Sequence, residues 1–172
     1  MNKKQLQFIR IMNHRLLFWW AMLFKLPTLI FWGIKIKSLT LDSCSTTIPY
    51  HWRTQNPFKS IYFAALAGAA ELSTGALCML VIKGNQSVSM LVIDLKAEYY
   101  KKANQKITFT CDQGEVIQQT ISNLNEINPS NTITLVSKGY NEQQEFVAQF
   151  NITWSFKLKS KLNPVKIGRA HV

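Results

Sequence analysis

At 172 residues the chain is long enough for one domain with a sizeable core, and its formal net charge of +11 points to anionic partners or to plain solubility. The Lys and Arg residues are scattered and no nucleic-acid motif accompanies them, so nucleic acid is set aside as a partner in favour of a phosphate-bearing small molecule. Cys44, Cys78 and Cys111 form no CxxC pair, and His14 and His51 are the only histidines before the tail. That leaves no multi-histidine metal site within one chain, implies no cofactor, and suits a reducing, cytoplasmic compartment. The tail itself, KIGRAHV over residues 166–172, resembles translated sequencing-adapter read-through and is set aside, so the natural C-terminus is expected to differ. Without Lys166 and Arg169 the formal charge is +9.

Residues 1–26 are basic and then strongly apolar. The apolar run Leu16 to Phe24 is short for a membrane span, and no small-residue cleavage site follows. The pattern predicts an amphipathic helix of about 15 residues, packed on the domain or lying on a membrane surface, with Phe18, Trp19, Trp20 and Phe24 as the apolar cluster. Residues 27–160 read as a single domain. From Gly33, Ile34 and Ile36 alternate with Lys35 and Lys37 at strand period; Asp42 and Ser43 read as a turn, and Cys44 to Trp52 as a returning strand.

The stretch Asn56 to Ile82, NPFKSIYFAALAGAAELSTGALCMLVI, organises the chain. Rich in Ala and Leu, with no Pro after Pro57, it predicts a continuous helix opened by Pro57 at the first turn and capped by Asn56. A helix this apolar should be buried on all sides. It carries one carboxylate, Glu71, on a face of small residues at helical spacing: Ala64, Ala67, Gly68, Thr74, Gly75 and Cys78. An ionisable group there is costly unless paired, solvated or used, and burial should raise its pKa. A core acid held by an amide or an Arg is the alternative reading.

Gly84-Asn85 reads as the helix stop. The apolar run Ser87 to Leu95 predicts a central strand continuing to Tyr100. Lys101 to Asn104 read as a turn, and Lys106 to Cys111 as the next strand. Asp112 and Glu115 predict a capping box opening a short helix whose apolar face is Val116, Ile117, Ile121 and Leu124, ended at Asn128-Pro129. Thr132 to Lys138 reads as a strand, Gly139 to Asn141 as a turn, and Phe146 to Leu158 as a strand of clear alternation. The order describes an α+β domain, an antiparallel sheet wrapped round one central helix.

The run WRTQNPFKSIYFAALAGAAELSTG resembles the hotdog-fold acyl-CoA thioesterase superfamily, in an uncharacterised branch similar to the phenylacetyl-CoA-type enzymes, over roughly Leu26 to Leu158. The resemblance implies the hotdog fold, an acyl-CoA or acyl-carrier thioester substrate, and a homodimer or dimer of dimers with the site between the helix of one protomer and the strands of the other. It implies Glu71 as general base or nucleophile, Asn56 near the thioester, and the Phe63 backbone N–H as the carbonyl donor. Tyr62, Ala64, Gly68, Thr74, Lys101 and Lys102 are the implied substrate contacts, Lys101 and Lys102 lying in a strand end similar to the aromatic-x-Lys-x-Ala run of the superfamily. Arg53 and Lys59 are further candidates for nucleotide phosphates, each equally readable as a solvated charge. The sequence departs from the relatives' Gly–His–Gly–Gly turn: Lys59 stands at the first Gly, Tyr62 at the His, and Phe63 and Ala64 at the paired glycines. Thioester hydrolysis is the expected activity. A non-catalytic acyl- or lipid-binding module is the alternative, and a dehydratase ranks last because no His lies between Asn56 and Ile82.

Overall fold

The computed structural model describes residues 1–84 and 87–159; the adapter-like tail and Asn85 lie outside them. The N-terminal segment forms three helices where the sequence reading expects one: α1 (Lys3–Asn13), α2 (Arg15–Lys25) and α3 (Pro27–Trp32). His14 makes the break. Its backbone is extended and its ring Nδ1 accepts the Leu17 N–H, so one residue ends α1 and caps α2. Leu26 is likewise non-helical, as the residue before a proline tends to be. Gly33, at φ 69°, closes α3 in the left-handed conformation that a side chain would strain, so it is a helix cap and not the start of a strand.

The remaining elements are β1 (Lys35–Leu39), β2 (Cys44–Ile48), α4 (Phe63–Ile82), β3 (Val88–Tyr99), β4 (Ile107–Cys111), α5 (Gly114–Ser122), β5 (Ser130–Tyr140) and β6 (Phe146–Leu158). All six strands form one antiparallel sheet in the order β1-β2-β4-β5-β6-β3. The sheet curls round α4, which gives the hotdog fold. By length and composition α4 could cross a membrane, but it is largely buried beneath the sheet, as the core helix of a folded domain is. Polar groups fix its position: Thr46 Oγ1 donates to the Ala69 carbonyl (2.7 Å), and the Ser73 and Ser137 hydroxyls share a buried hydrogen bond (2.8 Å). Such satisfied buried bonds specify register, since leaving either group unpaired is costly.

Three further expectations are corrected. The central helix begins at Phe63, seven residues after Asn56, because Asn56 folds a tight loop instead of capping a helix. Its Oδ1 accepts from the Phe58 N–H, the Ser60 N–H and the Ser60 hydroxyl, and Gln55 bridges to Ile61. The run from Ser87 forms an edge strand, not a central one: β3 pairs with β6 alone. A bulge between Val92 and Asp94 leaves Ile93 unpaired. The capping box expected at Asp112 does not form; α5 is preceded by Gln113, whose Oε1 accepts the Val136 N–H (2.6 Å). A capping box does form at Asn2 and Gln5, opening α1. From there the Asn2 amide donates to the Lys83 carbonyl and the buried Gln5 amide to the Leu80 carbonyl, so the start of α1 satisfies free carbonyls at the end of α4.

Candidate active site

The face of α4 away from the sheet is covered by the N-terminal helices, and Glu71 lies there. It lines a cavity of about 540 Å³ formed by α1, α2, α4, β3 and β6. The walls are apolar and flexible, with Met12, Met22, Met79 and Met90 beside Phe8 and Trp154; Lys4, Lys25 and Lys83 also line it. Glu71 is half-buried, and among the described residues no ion pair or hydrogen bond holds its carboxylate. Burial alone pushes its pKa above the ordinary 4.5, so the core-acid reading, which needs an amide or Arg partner, finds none here. Gly75, one turn on, leaves room for it. A Cβ there would lie 3.0 Å from Glu71 Oε1 and 3.2 Å from the Trp154 ring.

Thr74 does not face this cavity. It is buried, accepts the Trp154 indole N–H (3.0 Å) and donates to the Glu71 carbonyl (3.0 Å), so it positions Trp154 against the helix. Gly68 lies under Trp32 of α3, whose ring would be 3.1 Å from an added Cβ. Small residues on this face thus admit α3 at one point and the Glu71 carboxylate at another.

A second, smaller cavity of about 240 Å³ brings together Asn56, Phe63, Tyr99, Lys101 and Lys102 at the start of α4. The Ile61 N–H donates to the Ala103 carbonyl, which joins the loop before the helix to the segment after β3, and the Tyr62 N–H donates to the Thr54 carbonyl within that loop. Tyr62 supplies no side-chain cap, and among the described residues the Phe63 N–H has no acceptor, as befits a first-turn amide. Tyr62 and Phe63 are exposed and pack edge to face at 4.8 Å, and Ala64 follows them, half-buried. Lys101 is tied to Glu145 (2.6 Å) in an exposed ion pair, and Lys102 reaches the cavity without such a partner among the described residues. Lys59 is exposed, and Arg53 lies elsewhere, its guanidinium 5.9 Å from the centres of both the Phe31 and Trp52 rings.

Within one chain, then, Asn56, Phe63, Lys101 and Lys102 meet, and Glu71 stands apart from them, eight residues along α4 from Phe63 and roughly 12 Å down its axis. The cysteines join neither group as nucleophiles. Burial pushes the thiol of Cys44 up to about 12 and that of Cys111 to about 11, and raises Cys78 as well. The methionine-lined wall under the N-terminal helices was not foreseen; the signal was the apolar residues of α1 and α2, whose partner the sequence does not name.

A family model described as a domain of unknown function, DUF4442, matches residues 14–156. No curated protein matches the chain. Among solved structures, a Pseudomonas aeruginosa protein of unknown function described as a probable thioesterase superposes with a TM-score of 0.67 at 18% identity, covering 91% of this chain and 97% of that one. A thioesterase from Haemophilus influenzae gives 0.63 at 17%, covering 83% and 91%. A protein of unknown function from Chlorobaculum tepidum gives 0.71 at 17%, covering 90% and 94%. Identities this low establish a shared fold.

Proposed function

The chain belongs to the DUF4442 family, and from that premise we propose that it is an acyl thioesterase whose general base is Glu71. The observation that carries the reading is one carboxylate without a partner among the described residues, its pKa raised by burial, at the wall of an apolar cavity with the shape-tolerant lining an acyl chain needs. The thioesterase descriptions of two neighbours of the same fold support it. Glu71 takes a proton from water, the hydroxide oxygen adds to the thioester carbon, and the oxyanion is held by the Phe63 N–H at the start of α4. Collapse breaks the C–S bond, and the proton passes from Glu71 to the departing thiolate of coenzyme A or an acyl carrier.

One chain holds base and donor too far apart for one thioester. Two protomers with their α4 helices side by side and antiparallel would bring Glu71 of one to Phe63 of the other, so the working unit is a homodimer. The free edge of β3 supports this, with Leu91 66% and Ile93 54% exposed on its apolar first half. Lys102 and Lys101 would then meet the nucleotide phosphates at the rim of the shared site. The free, buried thiols fit a cytoplasmic setting.

The bulk of Tyr62 and Phe63 beside the donor favours the second reading, a module that binds an acyl group without hydrolysing it. Thiol release from a series of acyl-CoA lengths, measured for the parent and for Glu71→Gln, separates the two. Turnover falling roughly 100-fold in the variant supports the base. Equal background rates in both leave the binding module.

A further inference from the structure

The outer surface of the N-terminal helices serves neither cavity. α2 buries Phe18 and Met22 but turns Trp20 (57% exposed) and Phe24 (79% exposed) to solvent, stacked on each other at 6.4 Å, with Trp19 edge-on to Trp20 at 5.0 Å. Leu16 is exposed on the same helix, Phe31 on α3, and Trp52 (74% exposed) packs against Phe31. Exposed aromatic groups in this density are not what a solvated surface carries.

The charge around them is of one sign. Seven Lys and Arg residues precede Asp42 and no Asp or Glu does. A groove of about 1130 Å³ opens between the α1–α2 junction and the start of β1, lined by Arg15, Lys35 and Arg53 and by the Trp19 and Trp20 indoles, with no carboxylate. Arg53 Nε is buried there with no hydrogen-bond partner among the described residues, a donor whose cost would be lifted by an anionic oxygen. A groove with three cations and a rim of indoles has the chemistry of the bilayer interface, where phosphate oxygens lie beside the level at which Trp settles.

We propose that this face docks the protein on an anionic lipid bilayer, with α2 and α3 lying in the interface plane, Trp20 and Phe24 entering the headgroup region, and Arg15, Lys35 and Arg53 receiving lipid phosphate in the groove. Phe18, Met22 and Leu29 on the inner face of the same helices stay in the core, so docking needs no unfolding. Shallow apolar insertion and attraction to anionic lipid act together here, and both are required because neither is large alone.

The test uses the full chain and sedimentation with vesicles of phosphatidylcholine alone or mixed with phosphatidylglycerol, read alongside Trp emission. Binding to the mixed vesicles only, with a blue shift that added salt reverses, is the expected result. The exposed pair Trp20→Ala with Phe24→Ala, which leaves the core untouched, should abolish the shift. Arg15→Gln, Lys35→Gln and Arg53→Gln together should weaken binding roughly 100-fold. Equal binding to both vesicle types, or none to either, overturns the proposal. So does an aromatic pair variant that binds vesicles normally but changes the oligomeric state, since the patch would then be a contact between copies of this chain.

Discussion

The start and the middle of α4 differ in chemistry and in what covers them. At Phe63 the cavity is small, rimmed by Lys101 and Lys102, and offers first-turn amides. At Glu71 it is more than twice as large, apolar, roofed by α1 and α2, and offers a carboxylate. In the proposed mechanism the start has a donor without a base, and the middle a base without a donor. The helix that holds both rigidly also keeps them apart, so under the proposed function a complete site draws on a second chain. The uncovered edge of β3 is where that chain would attach.

The largest effect should come from that edge. Leu91→Lys with Ile93→Lys places charges on exposed positions of an edge strand, a device that blocks edge association without disturbing the fold. Light scattering should report a monomer, and hydrolysis should fall by roughly 100-fold, as far as loss of the base itself takes it. A monomer that keeps full activity would show that one chain suffices, and the division between the two ends of α4 would have no catalytic meaning.

Next comes the pH dependence of the Glu71 end. Burial raises the folded pKa above the unfolded value near 4.5, so the folded chain holds more protons between the two. Stability then falls as pH rises from the unfolded value through the folded one, and is level beyond it. Glu71→Gln removes this loss. Urea titrations should show the variant gaining on the parent as pH rises through that window, with a constant advantage above it. Turnover in the parent should rise over the same window, because the base works ionised. A variant that is instead less stable than the parent at neutral pH would mean that Glu71 is held by a partner and is structural.

How much of this was legible beforehand depends on whether the cause was local. The alternation of Phe146 to Leu158 became β6 with those bounds, because the inward residues face α4 and the outward ones do not. Glu71 stood out because a carboxylate in an apolar helix needs a reason wherever that helix lies. The pattern places the helix start too early because Asn56 and Pro57 are also good loop residues, and the choice is made by Ser60, which bonds back to Asn56, and by Ala103, which lies outside the stretch. β3 reads as central because Met90 to Ile93 are apolar on both faces, a property that reports burial without saying by which chain. The split between α1 and α2 turned on His14, whose capping bond is a single hydrogen bond that no periodicity reveals.

A smaller effect is expected at Gly75. Gly75→Ala would put a methyl against Glu71 Oε1 and Trp154, at distances where each must shift by a few tenths of an ångström. Overpacking of this kind costs about 1–3 kcal/mol, and replacing a mid-helix Gly by Ala returns about 0.5–1 kcal/mol. The net loss in a melting experiment should be about 1 kcal/mol. Activity should drop further than stability, roughly tenfold, because the carboxylate is displaced from its line of attack. Equal, small losses in both would mean that the carboxylate position is not critical.

The smallest effect belongs to the other end. Lys59 has φ 58°, in the left-handed region where a glycine is usual. Holding a non-glycine residue there costs roughly 1–2 kcal/mol, and the loop accepts it because Asn56 Oδ1 gathers three donors around it. Lys59→Gly removes that cost but adds freedom to the unfolded chain worth about 0.5–1 kcal/mol, so the expected gain is only about 0.5 kcal/mol. For a chain of this size that is about 1–2 °C in melting temperature. The change leaves α4 and the Glu71 cavity alone, so kcat should hold. KM is the informative number. If the Lys59 ammonium meets substrate phosphates at this end, KM for acyl-CoA should rise a few-fold and the rise should vanish at high salt. An unchanged KM assigns Lys59 to solvent and leaves Lys101 and Lys102 as the cations of the donor end.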